Sequence, residues 1–232
     1  MTPRVAVVVF PGTNCEHDVV HALGLLGVDA RLVFHKETSL DGYAGVVLPG
    51  GFAHGDYLRT GAIARFSPVM AGVARFAEIG RPVLGICNGF QILCEAGLLP
   101  GALVENRDLR FVCRPVHVRV EDTGSVLTRA ASAGQVLRIP LNSYEGNYVA
   151  DEADLDELER TGGVVLRYSD PSGTVDDAAN PNGAARNIAG VARGSVAGLM
   201  PHPERAVEPI LGSDDGRILL ESFVDSLTPS RV

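Results

Sequence analysis

Residues 82–91 read Pro-Val-Leu-Gly-Ile-Cys-Asn-Gly-Phe-Gln, an apolar run that leads straight into Cys87. The apolar run predicts a buried strand, and the residues after Cys87 predict a helix. The spacing Gly-x-Cys-x-Gly suits a sharp strand-to-helix turn, because side chains on either flank would clash there. Such a turn lifts Cys87 above the carboxyl edge of a sheet and places it at a helix N-terminus, where the dipole stabilises a thiolate. Cys87 is therefore a candidate nucleophile, against the alternative of an ordinary buried core cysteine.

Short β-branched runs alternate with helical patterns around this turn, which indicates βαβ units and a parallel sheet. Strands are expected at residues 4–10, 30–34, 46–48 and 82–86. Helices are expected after Asn14, a candidate helix cap, and at residues 68–79, 152–161 and 216–226.

Two later regions predict antiparallel strands added to this parallel core. Residues 111–120 and 136–141 are extended runs without a long helix between them, and residues 187–193 and 196–200 are expected to pair. Residues 171–187 are rich in Gly, Pro, Asn and Asp and predict a loop. Because no linker or internal repeat is visible, we expect one domain over residues 1–232.

Composition excludes several classes of protein. The formal net charge of −8 argues against nucleic-acid binding, which rests on cationic groups at phosphates. No window reaches the roughly 18 apolar residues of a membrane span. The four cysteines lack Cys-x-x-Cys spacing, so we expect reduced thiols in a cytoplasmic protein. The chain's single lysine, Lys36, follows His35, so no Gly-Lys-Ser/Thr phosphate loop is present.

A second chemical signal lies at residues 200–204, Met-Pro-His-Pro-Glu. The prolines disfavour the α region for the residues before them, which predicts an extended segment with His202 and Glu204 on one face. A carboxylate beside an imidazole fixes its tautomer and stabilises the imidazolium. Alone this pattern fits a surface loop equally well, but with Cys87 it supplies a nucleophile, a base and a group that orients the base.

Cleavage of an amide by Cys87 would build a tetrahedral oxyanion that needs N–H donors. The backbone N–H of Asn88, directly after the nucleophile, is one candidate. Gly50 and Gly51 end a neighbouring predicted strand and could turn a second N–H inward, since glycine tolerates the required dihedrals. A plain turn is the alternative for these two glycines.

Together these motifs resemble the class I (triad) glutamine amidotransferases. The resemblance is narrower still to a purine-biosynthetic subfamily, whose glutaminase subunits serve the amidation of formylglycinamide ribonucleotide. The matching segments span nearly the whole chain and are residues 10–16, 49–52, 55–59, 61–64, 85–91, 110–114, 180–183 and 200–205. One departure is Asn142-Ser143-Tyr144, where the family usually has a glycine, often with a histidine before it. The resemblance implies that this segment forms the pocket rim or a partner contact, so the departure affects that contact and not the triad.

The resemblance implies a three-layer, flavodoxin-like α/β fold with a mostly parallel central sheet and an antiparallel extension. It implies that Cys87 attacks the side-chain amide of glutamine, His202 shuttles protons and Glu204 orients His202. It further implies that Gly51 and Asn88 hold the oxyanion, and that Gln91 supports the glutamine pocket.

The resemblance also implies partners, because ammonia released at neutral pH is mostly protonated and needs a sheltered path. A large synthase subunit would bind ATP, Mg²⁺ and the nucleotide, often with a small bridging subunit, and this chain would hold no cofactor or metal of its own. We expect residues 55–59 and nearby loops to face that partner.

Three alternatives remain at this point. His17 and His21, four apart on a predicted helix with Cys15 and Asp18 nearby, could form a metal site. A hydrolase or chaperone with a cysteine elbow is the second, although such relatives usually place histidine where Asn88 stands. A binding protein without chemistry is the third. For Cys94 and Cys113 we expect core packing.

Overall fold

The computed structural model describes residues 2–228. Eleven strands and five α-helices follow one another along this part of the chain, joined by short 3₁₀ turns. In chain order they are β1 (Arg4–Val9), α1 (Glu16–Leu25), β2 (Asp29–Phe34), β3 (Gly45–Leu48), α2 (Val69–Glu78), β4 (Val83–Ile86), α3 (Asn88–Glu95), β5 (Ala102–Val104), β6 (Val112–Val120), β7 (Val136–Ser143), β8 (Asn147–Val149), α4 (Glu152–Thr161), β9 (Val164–Ser169), β10 (Ile188–Arg193), β11 (Val196–Leu199) and α5 (Gly216–Asp225).

Nine of these strands form one sheet in the order β2-β1-β3-β4-β11-β10-β9-β6-β7, and β5 pairs with β8 beside it. The first five strands are mutually parallel, and the pairings from β11 through β10, β9 and β6 to β7 are antiparallel. The predicted fold class, an α/β sheet with an antiparallel extension, is confirmed.

The parallel half is built from strands that are buried on both faces. Every residue of β3 and β4 is buried, as are Val5–Val8 of β1, which is why these strands read as continuous apolar runs. The connection from β1 through α1 leads to β2, in one direction along the strand order, and that from β3 through α2 leads to β4, in the opposite direction. Because such crossovers are right-handed, the two helices cover opposite faces and give three layers.

This reversal of direction between β1 and β3 opens a crevice at the carboxyl ends of the parallel strands, where open α/β sheets bind ligands. The segments that leave β1 and β3 meet there, since the amides of Asn14 and Cys15 donate to the carbonyl oxygen of Gly50 at 3.3 and 3.2 Å. The fold therefore brings residues 13–15 and 50–51 to one edge.

Some local expectations were wrong. The cap of α1 is Cys15 rather than Asn14, whose side chain instead accepts from the Cys15 thiol at 3.1 Å. Strand β9 was not foreseen, although Val164-Val165-Leu166 is a short apolar run of the kind that buried strands show. Cys113 lies in β6 as expected, but its face of the strand is exposed, whereas Cys94 packs in the core.

Among residues 2–228, no helix combines the length and the hydropathy that crossing a bilayer requires.

Candidate active site

The nucleophile turn (residues 85–89) joins β4 to α3 and has the shape that its glycines require. Cys87 is the N-cap of α3 and adopts φ 50° and ψ −107°, an uncommon conformation for a residue with a side chain. A Cβ on Gly89 would lie 1.9 Å from the carbonyl oxygen of Leu48, and one on Gly85 would lie 2.7 Å from that of Gly89. Any larger residue would therefore push the turn away from the sheet, so the predicted steric reason for both glycines holds.

The strand that leads to the candidate base lies directly beside the strand that leads to Cys87. In the parallel pairing of β4 with β11, Gly85 is level with Gly198 and Ile86 with Leu199. The ladder continues one step further, because the amide of Cys87 donates to the carbonyl of Leu199 at 2.8 Å. Cys87 and the residues after β11 consequently emerge at the same edge of the sheet.

The histidine turn (residues 202–205) brings His202 and Glu204 together, but not as an extended segment. Residues Pro203–Arg205 form a 3₁₀ turn, and only His202, at φ −103° and ψ 87°, lies outside the helical region. A proline is tolerated at the first position of a helical turn, and it keeps the preceding residue out of the α region. The Nδ1 atom of His202 lies 2.7 Å from Oε1 of Glu204 all the same.

Both members of this pair are buried, which strengthens their interaction. The side chains of His202 and Glu204 are 2% and 0% exposed. Burial alone lowers the pKa of His202, but the charge of Glu204, followed by that of Cys87 and by contacts with Cys15 and Cys87, outweighs it. The pKa of His202 therefore lies well above its ordinary value of 6.5, and the imidazole holds a proton that it can donate.

Two buried atoms of the pair are left without partners. Within residues 2–228, Nε2 of His202 and Oε2 of Glu204 make no hydrogen bond. The sulfurs of Cys87 and Cys15 approach the imidazole without satisfying hydrogen-bond geometry at Nε2. A ring nitrogen that is buried, protonated and unpaired at this position is available to a reacting group.

The glycines after β3 permit the close packing at this edge. A Cβ on Gly50 would lie 2.7 Å from Cε1 of His202, and one on Gly51 would lie 2.7 Å from Cα of Thr13. Gly51 has φ 152° and borders the same cavity as Cys87. Only glycine fits at either position, which is compatible with the predicted oxyanion donor at Gly51 without testing it.

Asn88 and Gln91 brace the wall of the cavity through their side chains. Asn88 accepts from the amide of Ala53 at 3.0 Å and donates to Oε1 of Gln91 at 2.8 Å, and Gln91 donates to the carbonyl of Glu145 at 2.6 Å. As the first residue of α3, Asn88 also has a backbone N–H with no acceptor inside the helix. That N–H can serve as the predicted oxyanion donor.

The cavity has a volume of about 240 Å³. Of the predicted residues, Gly51, Cys87, Gln91 and His202 line it, while Gly50, Asn88 and Glu204 lie behind its surface. Asn142, Ser143 and Tyr144, expected at the pocket rim or a partner contact, also line it. Sequence reasoning did not assign the remaining lining residues to the site: Asn14, Cys15, Phe52, Asp56, Phe111, Glu145 and Arg205.

Residues 142–145, which include the departure from the family that the sequence resembles, form one wall of this cavity. The thiol of Cys87 donates to the carbonyl of Asn142 at 3.6 Å, and residues 143–145 continue along the rim. Because the contact to Cys87 is made by a backbone carbonyl, the side chain at position 142 can vary without removing it.

A carboxyl group from the loop after Gly51 also faces the cavity. Burial, then the nearby charge of Glu145, raise the pKa of Asp56 from 3.8 to about 6, against a hydrogen bond from Asn88 that lowers it. The loop is strained, because His54, Asp56 and Leu58 all have positive φ. Its tether to Asn88 links it to the nucleophile turn.

The side chains of the alternative metal site around His17 and His21 are not brought together within residues 2–228. Nε2 of His21 lies 2.8 Å from Glu208, and His17 reaches only Glu16, at 4.0 Å. Within the described part of the chain, the one group of potential metal ligands is Cys15, His202 and Glu204.

Comparison with known proteins gives a family and close relatives. Residues 2–216 match the model of the CobB/CobQ-like glutamine amidotransferase domain. The chain is 53% identical over 231 residues to a protein of Salinibacter ruber named phosphoribosylformylglycinamidine synthase subunit PurQ, covering 98% of each chain. It is 57% identical over 226 residues to the protein of the same name from Gloeobacter violaceus, covering 96% of this chain and 97% of the relative.

Solved structures agree with this result. The structure of PurLQS from Thermotoga maritima contains a chain that matches with a TM-score of 0.87 and 41% identity, covering 98% of this chain and all (100%) of that one. A glutamine amidotransferase from Thermotoga maritima shares the fold, with a TM-score of 0.57 at 16% identity, covering 98% of this chain and 95% of that one. The family match decides against the hydrolase or chaperone alternative.

Proposed function

The chain belongs to the CobB/CobQ-like glutamine amidotransferase family, and from this membership we propose that it is the glutaminase subunit of a phosphoribosylformylglycinamidine synthase. It hydrolyses glutamine to glutamate and ammonia, and the ammonia converts formylglycinamide ribonucleotide to formylglycinamidine ribonucleotide on a partner. The observation that carries the proposal is the meeting of Cys87 and the His202–Glu204 pair at one cavity.

The first half of the reaction forms a thioester. The sulfur of Cys87, whose proton has passed to His202, attacks the side-chain carbonyl carbon of glutamine as a thiolate, and the N–H groups of Asn88 and Gly51 hold the oxyanion that results. His202 is protonated before the reaction because Glu204 raises its pKa. It gives this proton to the nitrogen of the leaving group, so that ammonia departs and the imidazole becomes neutral.

The second half restores the enzyme. Neutral His202 takes a proton from water, the resulting hydroxide attacks the thioester carbon, and the Cys87–carbon bond breaks. Glutamate leaves, and the proton stays on His202. The sum is glutamine plus water giving glutamate plus ammonia, with Glu204 unchanged throughout as the partner of Nδ1.

Glutamate release tests this reaction directly. Cys87→Ser should abolish it, whereas Cys113→Ser, which changes an exposed thiol outside the cavity, should leave the rate within about twofold. Both variants would be assayed with the partner subunits, ATP and nucleotide present, and equal rates for wild type and Cys87→Ser would refute the assignment.

The ammonia acceptor must be activated elsewhere, because this chain has no Gly-Lys-Ser/Thr phosphate loop. We assign ATP, Mg²⁺ and the ribonucleotide to a large synthase subunit, which a small subunit bridges to this chain, and we assign no cofactor to this chain. The Thermotoga maritima structure that contains a matching chain is named PurLQS, which supports the assembly of this chain with partner subunits. A thiol nucleophile and a purine-biosynthetic role fit the cytoplasm.

The partner face is proposed at the tip of the strained loop. Tyr57 and Leu58 are 73% and 90% exposed, beside the cavity that residue Asp56 lines. Asp56 itself is tethered to Asn88, and Arg59 is paired with Glu95, so reversing their charge would also disturb this chain. The sharper test is Leu58→Asp, with Ile210→Asp as a control of equal exposure on the turn Pro209–Leu211.

Size-exclusion chromatography of the co-expressed subunits measures the outcome. Leu58→Asp should dissociate the complex while the isolated chain keeps its melting temperature. Co-elution equal to that of Ile210→Asp would place the partner elsewhere.

A further inference from the structure

A second cysteine that the reaction does not use lies against the catalytic imidazole. The sulfur of Cys15, a potential ligand nitrogen of His202 and a carboxylate oxygen of Glu204 all lie within 4.8 Å of one another. From these positions we propose that Cys15, His202 and Glu204 form a binding site for a thiophilic divalent cation, Zn²⁺, whose occupation switches the glutaminase off. The inhibitory consequence rests on the proposed function, whereas the binding does not.

The donor set matches the chemistry of Zn²⁺, which takes thiolate, imidazole and carboxylate ligands in tetrahedral sites. Bonds of about 2.0–2.3 Å place such ligands about 3.3–3.8 Å apart, so atoms at the 4.8 Å limit would close by about 1.5 Å. Nδ1 of His202 and Oε1 of Glu204, now 2.7 Å apart, would exchange their hydrogen bond for bonds to the ion and separate. A thiolate at Cys15 and the carboxylate of Glu204 would balance the charge of the ion. The fourth position would be left to water or to a group in the cavity.

An unsatisfied carboxylate oxygen points to a ligand here. Oε2 of Glu204 is buried and has no hydrogen-bond partner in the described chain, whereas Nε2 of His202, across the ring from Glu204, is the nitrogen that serves the reaction. Buried polar atoms are normally paired, and leaving one unpaired costs about 1–3 kcal/mol. Cys15 and His202 border the cavity, so an ion can reach them.

Arg205 is the charged group that opposes the ion. Its Nη2 donates to the sulfur of Cys15 at 3.2 Å, and its Nε donates to Asp18 at 2.9 Å. Binding of Zn²⁺ replaces the first contact and leaves the second. The side chain of Arg205 is 35% exposed, so it can turn toward Asp18 without entering the core.

The ion would block the reaction through the base. Coordination at Nδ1 displaces the proton there and holds the imidazole in its neutral form. His202 can then no longer cycle between imidazolium and imidazole, so it neither protonates the leaving nitrogen nor takes a proton from water. A chelator would reverse the block, because no covalent bond is made. The ion would therefore act as a reversible inhibitor and not as a resident cofactor, which the proposed reaction does not need.

The direct test measures Zn²⁺ binding by competition with a chromophoric chelator, in a Cys113→Ser background that lacks the exposed thiol. Cys15→Ser should weaken binding at least about tenfold, and Cys87→Ser should change it less than about threefold. His17→Ala is the matched control on a surface histidine. Binding unaffected by Cys15→Ser, or lost with Cys87→Ser, would overturn the proposal.

A second measurement covers the case in which Cys15→Ser does not fold. Co²⁺ added to the Cys87→Ser/Cys113→Ser protein should give a thiolate-to-cobalt charge-transfer band, and its absence would also overturn the proposal. Glutamate release by wild type should fall with Zn²⁺ and recover with EDTA. No release before Zn²⁺ is added would count against the proposed function alone, because metal binding is measured separately.

Discussion

The nucleophile turn and the histidine turn deliver the two halves of the catalytic pair, but they are shaped by different forces. Residues 85–89 are fixed by sterics, since the missing side chains of Gly85 and Gly89 would collide with backbone less than 3 Å away. Residues 202–205 are held by a buried charge pair in a 3₁₀ turn that the prolines permit without determining. A local steric requirement can be deduced from the sequence. A charge pair can form in more than one backbone conformation, so it does not determine which conformation is adopted.

The largest expected effect comes from breaking the steric turn. Gly89→Ala places a Cβ 1.9 Å from the carbonyl of Leu48, so we expect a loss of about 3 kcal/mol or more and no measurable glutaminase activity. Calorimetry should show a fall in melting temperature of roughly 6–12 °C. Gly24→Ala, which changes an unobstructed glycine inside α1, is the control and should stabilise slightly. An active, stable Gly89→Ala protein would contradict the steric account.

Removing the buried charge from the histidine turn should lower the catalytic rate without changing the fold. Glu204→Gln keeps an acceptor for Nδ1 of His202 but removes the charge that raises the pKa of this histidine. We expect kcat to fall about 10³–10⁴-fold with the circular dichroism spectrum unchanged. Glu208→Gln makes the same change in the exposed pair with His21 and should leave kcat unaltered. Equal rates for the two variants would show that the buried charge is not needed.

Asp56, in the loop tethered to the nucleophile turn, should have a pH-dependent effect of intermediate size on the stability of the protein. Because the pKa of Asp56 is raised from 3.8 to about 6, protonation of its carboxyl group stabilises the folded chain. This stabilisation is complete below pH 3.8 and is lost as the pH rises through about 6. Asp56→Asn should therefore stabilise the protein at pH 8 by about 1–2 kcal/mol, a figure reduced for solvent screening of this half-buried group. Melting temperatures from pH 4 to 8 check this, and a gain that persists at pH 4 would argue against the shift.

The smallest effect is expected from the proline between the pair. Pro203→Ala frees the backbone, but the contact between His202 and Glu204 does not depend on an extended segment. We expect a loss of about 1 kcal/mol and a kcat within about threefold of wild type. A collapse of kcat would mean that proline, rather than the charge pair, determines the histidine turn.

The sequence predicted the parallel half of the sheet well, because those strands are buried on both faces and their residues show it. It did not predict β9 because the apolar run is short, although turn signals stand on both sides of it, Gly162-Gly163 before and Asp170-Pro171-Ser172-Gly173 after. It also could not give the face of β6 that carries Cys113, since one step of register reverses the exposure of every side chain.

In the site, the same distinction holds between local and distant determinants. The sequence predicted Cys87, His202 and Glu204 as partners because each carries chemistry within a short motif. Cys15 and Arg205 reach the cavity only through the meeting of residues that leave β1, β3 and β11, which no local pattern records. Their roles, and those of the predicted oxyanion donors, stay predictions until variants are measured.

The pairing of β4 with β11 affects the order in which parts of the molecule unfold. Cys87 follows β4 and the histidine turn follows β11, and these two strands pair with each other in the centre of the nine-stranded sheet. Fraying begins at the outer strands, β2 and β7, so the amides of residues 83–87 and 196–199 should be among the last to exchange with deuterium. We therefore expect the two strands that carry Cys87 and the histidine turn to stay paired while the outer strands open.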